Sequence, residues 1–197
     1  MTMTKSICVF SGSRCGERPE YRAAAEALAT AMAEQQLRLV YGGGNIGLMG
    51  VMADRLLAAA GKVVGVIPQC LLDKEVAHHG VTQLHVVETM HERKALMADL
   101  SDAFIAIPGG FGTLEELFEV LTWRQLQIHN KPCGLLNTAG YFDDLLRFLD
   151  RCVADGFLQE QYRRLILVSE DPRQLLERVR QAITAMPTAH TSESDVR

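Results

Sequence analysis

The sequence predicts an α/β protein: a doubly wound, mainly parallel sheet of about seven strands with helices on both faces. Three observations carry that expectation. Short apolar runs alternate with helix-period segments almost to the end of the 197 residues. Several runs are apolar throughout, as strands buried on both faces should be. Glycine clusters follow the first, second and fifth runs, at the strand ends where such sheets bind ligands.

Taken in order, the first strand is Ser-Ile-Cys-Val-Phe at 6–10, followed by a helix over 20–34. Leu-Arg-Leu-Val-Tyr at 37–41 is the second strand, leading through a glycine loop to a helix over 48–60. Lys-Val-Val-Gly-Val-Ile at 62–67 and Gln-Leu-His-Val-Val at 83–87 are the third and fourth strands. A helix over 91–100 precedes the fifth, Ala-Phe-Ile-Ala-Ile at 103–107, which is apolar from end to end. The remaining elements are a helix over 114–126, Cys-Gly-Leu-Leu at 133–136, a helix over 142–154, Leu-Ile-Leu-Val at 165–168 and a helix over 172–185. No repeat or linker divides the chain, so residues 1–185 read as one nucleotide-monophosphate-binding domain. The polar stretch 186–197 reads as a frayed, disordered tail.

Composition excludes several function classes. A net charge of -4 offers no basic stripe for nucleic acid. No run approaches the length of a membrane span, and the first residues lack the plan of a signal peptide, so a cytoplasmic location is the default. Five scattered cysteines without C-x-x-C argue against a disulfide framework or zinc site. The six histidines show no metal-ligand spacing, so no metal is expected. Neither a G-x-x-x-x-G-K-[ST] loop nor a G-x-S-x-G elbow is present.

The most informative stretch is Pro108-Gly109-Gly110-Phe111-Gly112-Thr113-Leu114-Glu115-Glu116. Glycines between a buried strand and a helix let backbone N–H groups approach an anion, and the helix dipole favours that anion. A carboxylate does not help bind phosphate, so Glu116 behind such a cradle suggests chemistry on what the phosphate carries. Acidic residues also match a helix start for the dipole alone, and this segment by itself leaves both readings open. Ser11-Gly12-Ser13-Arg14 and Gly42-Gly43-Gly44-Asn45-Ile46-Gly47 should face the same rim, where Ser13, Gly43 and Gly44 become candidates for phosphate or sugar contact. Met90-His91-Glu92-Arg93-Lys94-Ala95 opens a helix with two cations against its dipole, a local conflict that points to a ligand or carboxylate partner.

Together these motifs resemble the LOG ("Lonely Guy") family of cytokinin riboside 5′-monophosphate phosphoribohydrolases, whose members have a Rossmann-like fold. The stretch Thr122-Trp123-Arg124-Gln125-Leu126-Gln127-Ile128-His129-Asn130-Lys131-Pro132 and Gly134-Leu135-Leu136-Asn137 are similar to the same family. The resemblance runs from Lys5 to about Ile183. It implies hydrolysis of the N-glycosidic bond of an N6-modified adenosine 5′-monophosphate, with no cofactor. The implied catalytic residues are Arg93 and Glu116. The implied substrate-binding positions are Glu75, Arg93, Lys94, Gly110, Phe111, Gly112, Thr113, Leu114, Glu115, Glu116 and Thr122. Phe111 stands where tyrosine is frequent, retaining an aromatic ring. The resemblance further implies a homodimer with the site near the interface. An older family label is lysine decarboxylase; such enzymes hold pyridoxal phosphate on a Schiff-base lysine, and nothing around Lys94 or Lys131 forms that framework. An AMP nucleosidase and a non-catalytic nucleotide- or cofactor-carrying protein remain the alternatives.

Overall fold

A computed structural model describes residues 4–72 and 77–185. Its seven strands are β1 (Ser6–Phe10), β2 (Arg38–Tyr41), β3 (Val63–Pro68), β4 (Gln83–Val87), β5 (Ala103–Ala106), β6 (Cys133–Leu136) and β7 (Ile166–Ser169). They form a single sheet in the order β4-β3-β2-β1-β5-β6-β7, and every pairing is parallel. The helices are α1 (Pro19–Glu34), α2 (Gly47–Ala58), α3 (Met90–Asp99), α4 (Phe111–Gln125), α5 (Asp143–Ala154), α6 (Glu160–Arg163) and α7 (Pro172–Thr184). The doubly wound class predicted from the alternation is therefore the class observed. The four-residue α6 was not anticipated; one turn is too short to show a helical period.

Alternate residues of every strand but β4 feed two cores, one on either face. Ile7, Val9, Ala103 and Ile105 pack against α1, α2 and α7. Cys8, Phe10, Phe104 and Ala106 pack against α3, α4 and α5. The second core is centred on Phe104, fully buried and stacked on Phe10 with ring centroids 5.9 Å apart. Truncating such a ring to alanine costs about 3–5 kcal/mol. This two-sided burial explains why β5 is apolar throughout and β1 is apolar after Ser6.

The strand order reverses between β1 and β5, since the chain leaves β1 toward one edge and β5 toward the other. At such a switch point the loops beyond the carboxyl ends diverge and leave a crevice. The loops in question are 11–18 and 107–110, two of the three glycine loops singled out from sequence. No helix among the described residues is long and apolar enough to cross a membrane.

Candidate active site

Backbone hydrogen bonds tie the three glycine loops together. Gly12 N–H donates to Pro108 O at 3.0 Å, and Leu48 N–H, at the start of α2, donates to Gly12 O at 3.0 Å. The approach is so close that a Cβ on Gly109 would lie 2.7 Å from Gly12 N and overlap the Thr113 hydroxyl. Glycine is required there by space alone.

Between these loops lies a cleft of about 140 Å³. Ser13, Gly110, Gly112 and Thr113 line it, together with Arg93 and Glu116. Gly110 caps α4 with a non-helical backbone, and the first hydrogen bond closing that helix runs from Leu114 N–H to Gly110 O. The amides of Phe111, Gly112 and Thr113 therefore have no partner within the helix, and the positive end of the helix dipole sits beside the cleft. A Cβ built on Gly110 or Gly112 would meet nothing within 4 Å, so the space above this turn is open. That combination suits an anion.

Arg93 enters from α3. The hydroxyl of Thr89 caps that helix by accepting from Glu92 N–H at 3.1 Å. Arg93 then turns away from the helix axis into the protein, where only 5% of it is exposed. Its Nε donates to Val66 O at 3.1 Å and its Nη2 to Gly42 O at 2.9 Å. Carbonyls from the ends of β3 and β2 thus meet part of a charge whose burial would otherwise be costly. The cation that opposed the α3 dipole on paper has these partners in the fold.

Arg93 and Glu116 both act on the Cys8 thiol. Burial pushes that thiol well above its usual range, the Glu116 carboxylate adds to the rise, and Arg93 opposes it. Cys8 is fully buried in the core.

Lys94 and Glu115 do not line the cleft. Lys94 Nζ donates to Glu115 Oε1 at 2.5 Å and to Glu119 Oε1 at 2.9 Å, joining α3 to α4. Burial works to lower the Lys94 pKa, but the two carboxylates outweigh it and hold the ammonium charged. Leu114 packs into the core, while Phe111 is 93% exposed at the start of α4. Thr122 lies three turns along that helix, its hydroxyl donating to Phe118 O at 2.7 Å. Gly43 and Gly44 do not line the cleft: Gly43 O accepts from His78 N–H at 2.9 Å, and Gly44 bridges Ala77. Glu75 lies outside the described residues. Among those described, no three His, Cys, Asp or Glu residues are grouped to hold a metal ion.

Sequence reasoning missed Gly42 and Met49, which also line the cleft. It missed a fourth rim loop too, 137–142 after β6, whose Tyr141 reaches Gly109. The Asn-Thr-Ala-Gly turn at the carboxyl end of a strand was the available signal for it.

Known proteins resemble this chain in sequence and in fold. A family model described as possible lysine decarboxylase matches residues 49–179. A cytokinin riboside 5′-monophosphate phosphoribohydrolase from Rhodococcoides fascians is 51% identical over 85% of this chain and 85% of its own length. The chain belongs to the LOG family. A second LOG-family relative, the cytokinin riboside 5′-monophosphate phosphoribohydrolase LOG of Oryza sativa subsp. japonica, is 48% identical over 87% of this chain and 71% of its own. Beyond the LOG family, the molybdenum cofactor carrier protein of Chlamydomonas reinhardtii shares the fold. It superposes with a TM-score of 0.71 at 21% identity, over 92% of this chain and 99% of its own.

Proposed function

We propose that this LOG-family chain is a cytokinin riboside 5′-monophosphate phosphoribohydrolase. It hydrolyses the N-glycosidic bond of N6-modified adenosine 5′-monophosphates, releasing the free cytokinin base and ribose 5-phosphate. The observation that carries this reading is the meeting of Arg93, Glu116 and the open α4 amides in one cleft. A carboxylate at a helix start can serve the dipole alone; lining the cleft with Arg93, Glu116 is suited to chemistry on what the phosphate carries.

In this reading the 5′-phosphate sits on the amides of Gly110 to Thr113, with Ser13 beside it. The cleft's 140 Å³ falls below the roughly 300–1,000 Å³ of whole-ligand sites. The ribose 5-phosphate occupies this cleft in the same reading, with the base toward the open side. The bond from C1′ to the base nitrogen breaks through an oxocarbenium-like state, water oxygen bonds to C1′, and a proton of that water ends on the base. Glu116 steadies the developing positive charge, accepts the water proton and returns it to the departing base. Arg93, too weak an acid to donate a proton, offers a fixed positive charge to the anionic leaving base or to the sugar oxygens. Lys94 and Glu115 hold the two helices in place rather than gripping substrate.

The family description of a possible lysine decarboxylase is not adopted. Among the described residues no lysine lines the cleft; Lys94 is paired with two glutamates and Lys131 donates to Ala98 O.

A homodimer with the site near its interface, in the cytoplasm, belongs to the same proposal. Incubation with isopentenyl-AMP and with AMP tests the function. Free base and ribose 5-phosphate should appear, faster from isopentenyl-AMP. Equal rates would favour a general AMP nucleosidase, and no cleavage of either would overturn the hydrolase reading.

A further inference from the structure

Beside the cleft, and sharing Gly12, Ser13 and Gly110 with it, lies a second cavity of about 270 Å³ walled by Tyr21 and Tyr141. Tyr141 comes from the loop after β6, which plays no part in the function proposed above. Its hydroxyl donates to Gly109 O at 2.6 Å. A peptide unit is planar and trans, so fixing the Gly109 carbonyl toward Tyr141 turns the N–H of Gly110 the opposite way. Gly110 is the α4 cap and a lining residue of the cleft. It brings no side chain to hold its own backbone, and neither does Gly109.

The rest of the loop is built to place this one hydroxyl. Asn137 is 5% exposed; its Oδ1 accepts from Phe142 N–H at 2.7 Å and its Nδ2 donates to Asp143 Oδ1 at 2.7 Å. Ala139 and Gly140 take left-handed conformations in succession, φ 53° and 72°. Such a conformation is unfavourable for alanine and persists only where its surroundings enforce it. The Tyr141 ring is then gripped edge-on by Tyr21 at 5.4 Å and by Phe142 at 4.8 Å. Arg18 lies over Tyr21 and donates to Ala139 O at 3.4 Å.

We propose that Tyr141 is a positioning residue for the phosphate subsite. It acts through the Gly109 carbonyl to hold the Gly110 to Thr113 amides in their anion-binding orientation. The inference rests on the proposed seating of the 5′-phosphate on those amides.

Tyr141→Phe tests it, because the ring contacts are kept and only the donor is lost. Steady-state kinetics on isopentenyl-AMP, inhibition by ribose 5-phosphate and thermal unfolding are to be measured for both proteins. We expect KM and the ribose 5-phosphate inhibition constant each to rise by about tenfold, the equivalent of one hydrogen bond. The kcat should change by less than threefold and Tm by no more than about 4 °C, since the variant loses one hydrogen bond and no packing. A variant whose KM and inhibition constant match wild type overturns the proposal. So does one in which kcat falls alone, or in which Tm falls far enough to explain the loss. Tyr141→Trp, which restores an N–H donor on an aromatic ring, should recover part of the affinity lost in Tyr141→Phe. A wild-type protein indifferent to ribose 5-phosphate would overturn the phosphate seating, and this proposal with it. Tight wild-type inhibition unchanged in Tyr141→Phe would overturn this proposal alone.

Discussion

Lys94 Nζ lies 2.5 Å from Glu115 Oε1, so the sequence neighbours of Arg93 and Glu116 bond to each other. The two catalytic candidates and their clamp are thus carried by adjacent positions on the same pair of helices. On α3 and α4, neighbouring residues point about 100° apart. One residue of each pair lines the cleft and the other braces the helices.

Lys94→Met should therefore damage the enzyme through geometry. Two carboxylates would be left facing each other without their cation, a loss of about 1–3 kcal/mol. For a chain of this size that corresponds to a Tm lower by about 2–12 °C. The kcat should fall by about tenfold as Arg93 and Glu116 lose their relative placement, with KM within threefold of wild type. A KM raised tenfold at unchanged Tm would show instead that Lys94 touches substrate.

Glu116→Gln keeps the shape and removes the charge. If the carboxylate takes the water proton and faces the developing cation, kcat should fall by about 10²–10⁴. Binding of the monophosphate, measured by calorimetry, should survive because the amides of α4 are untouched. Full activity in this variant would end the assignment.

His129 gives the protein an acid sensitivity unrelated to catalysis. Burial pushes its pKa down from 6.5 to about 4, and the Lys131 and Arg124 charges push the same way. Its Nδ1 accepts from Lys131 N–H at 3.1 Å, a bond the neutral ring can make and the charged ring cannot. The unfolded chain binds a proton near pH 6.5 that the folded protein refuses until about pH 4, so stability falls as pH drops through that window. With the ring half-buried, and allowing for solvent, the loss is about 1–2 kcal/mol. Urea unfolding at pH 7 and pH 5 should show a shallower decline for His129→Asn, which keeps an acceptor and cannot titrate. An identical decline would acquit His129.

The parts of this molecule legible in the sequence are those governed by local pattern. β1 and β5 announced themselves because burial on both faces leaves them apolar save for Ser6, and the glycine loops because strand-to-helix turns against a ligand tolerate little else. The convergence of Ser13, Gly110, Gly112, Thr113, Arg93 and Glu116 followed from topology, since all lie at the carboxyl rim. What stayed hidden depends on distance across the fold. Nothing in Lys94-Ala95 or Glu115-Glu116 says that Lys94 meets two glutamates more than 20 residues away. Likewise, Tyr141 is only an aromatic residue after a turn until the fold sets it against Gly109, 32 residues earlier.

Gly42 makes the same point with a sharper consequence. A Cβ at this position would overlap Arg93 Nη2, the atom that donates to Gly42 O. An arginine in solvent would swing aside at little cost, but this one is buried and also bonded to Val66 O. Gly42→Ala should therefore push the guanidinium out of register or strain the β2 end that holds it. Either displacement, on the order of 1 Å, is enough to cost about 10²-fold in turnover. The fold should tolerate it, because nothing in the two cores moves, and Tm should drop by less than about 4 °C. The measurement is kcat on isopentenyl-AMP beside a thermal melt. An alanine variant with wild-type turnover would mean that the position of Arg93 does not govern the reaction. Its two carbonyl bonds would then serve the stability of the sheet end alone.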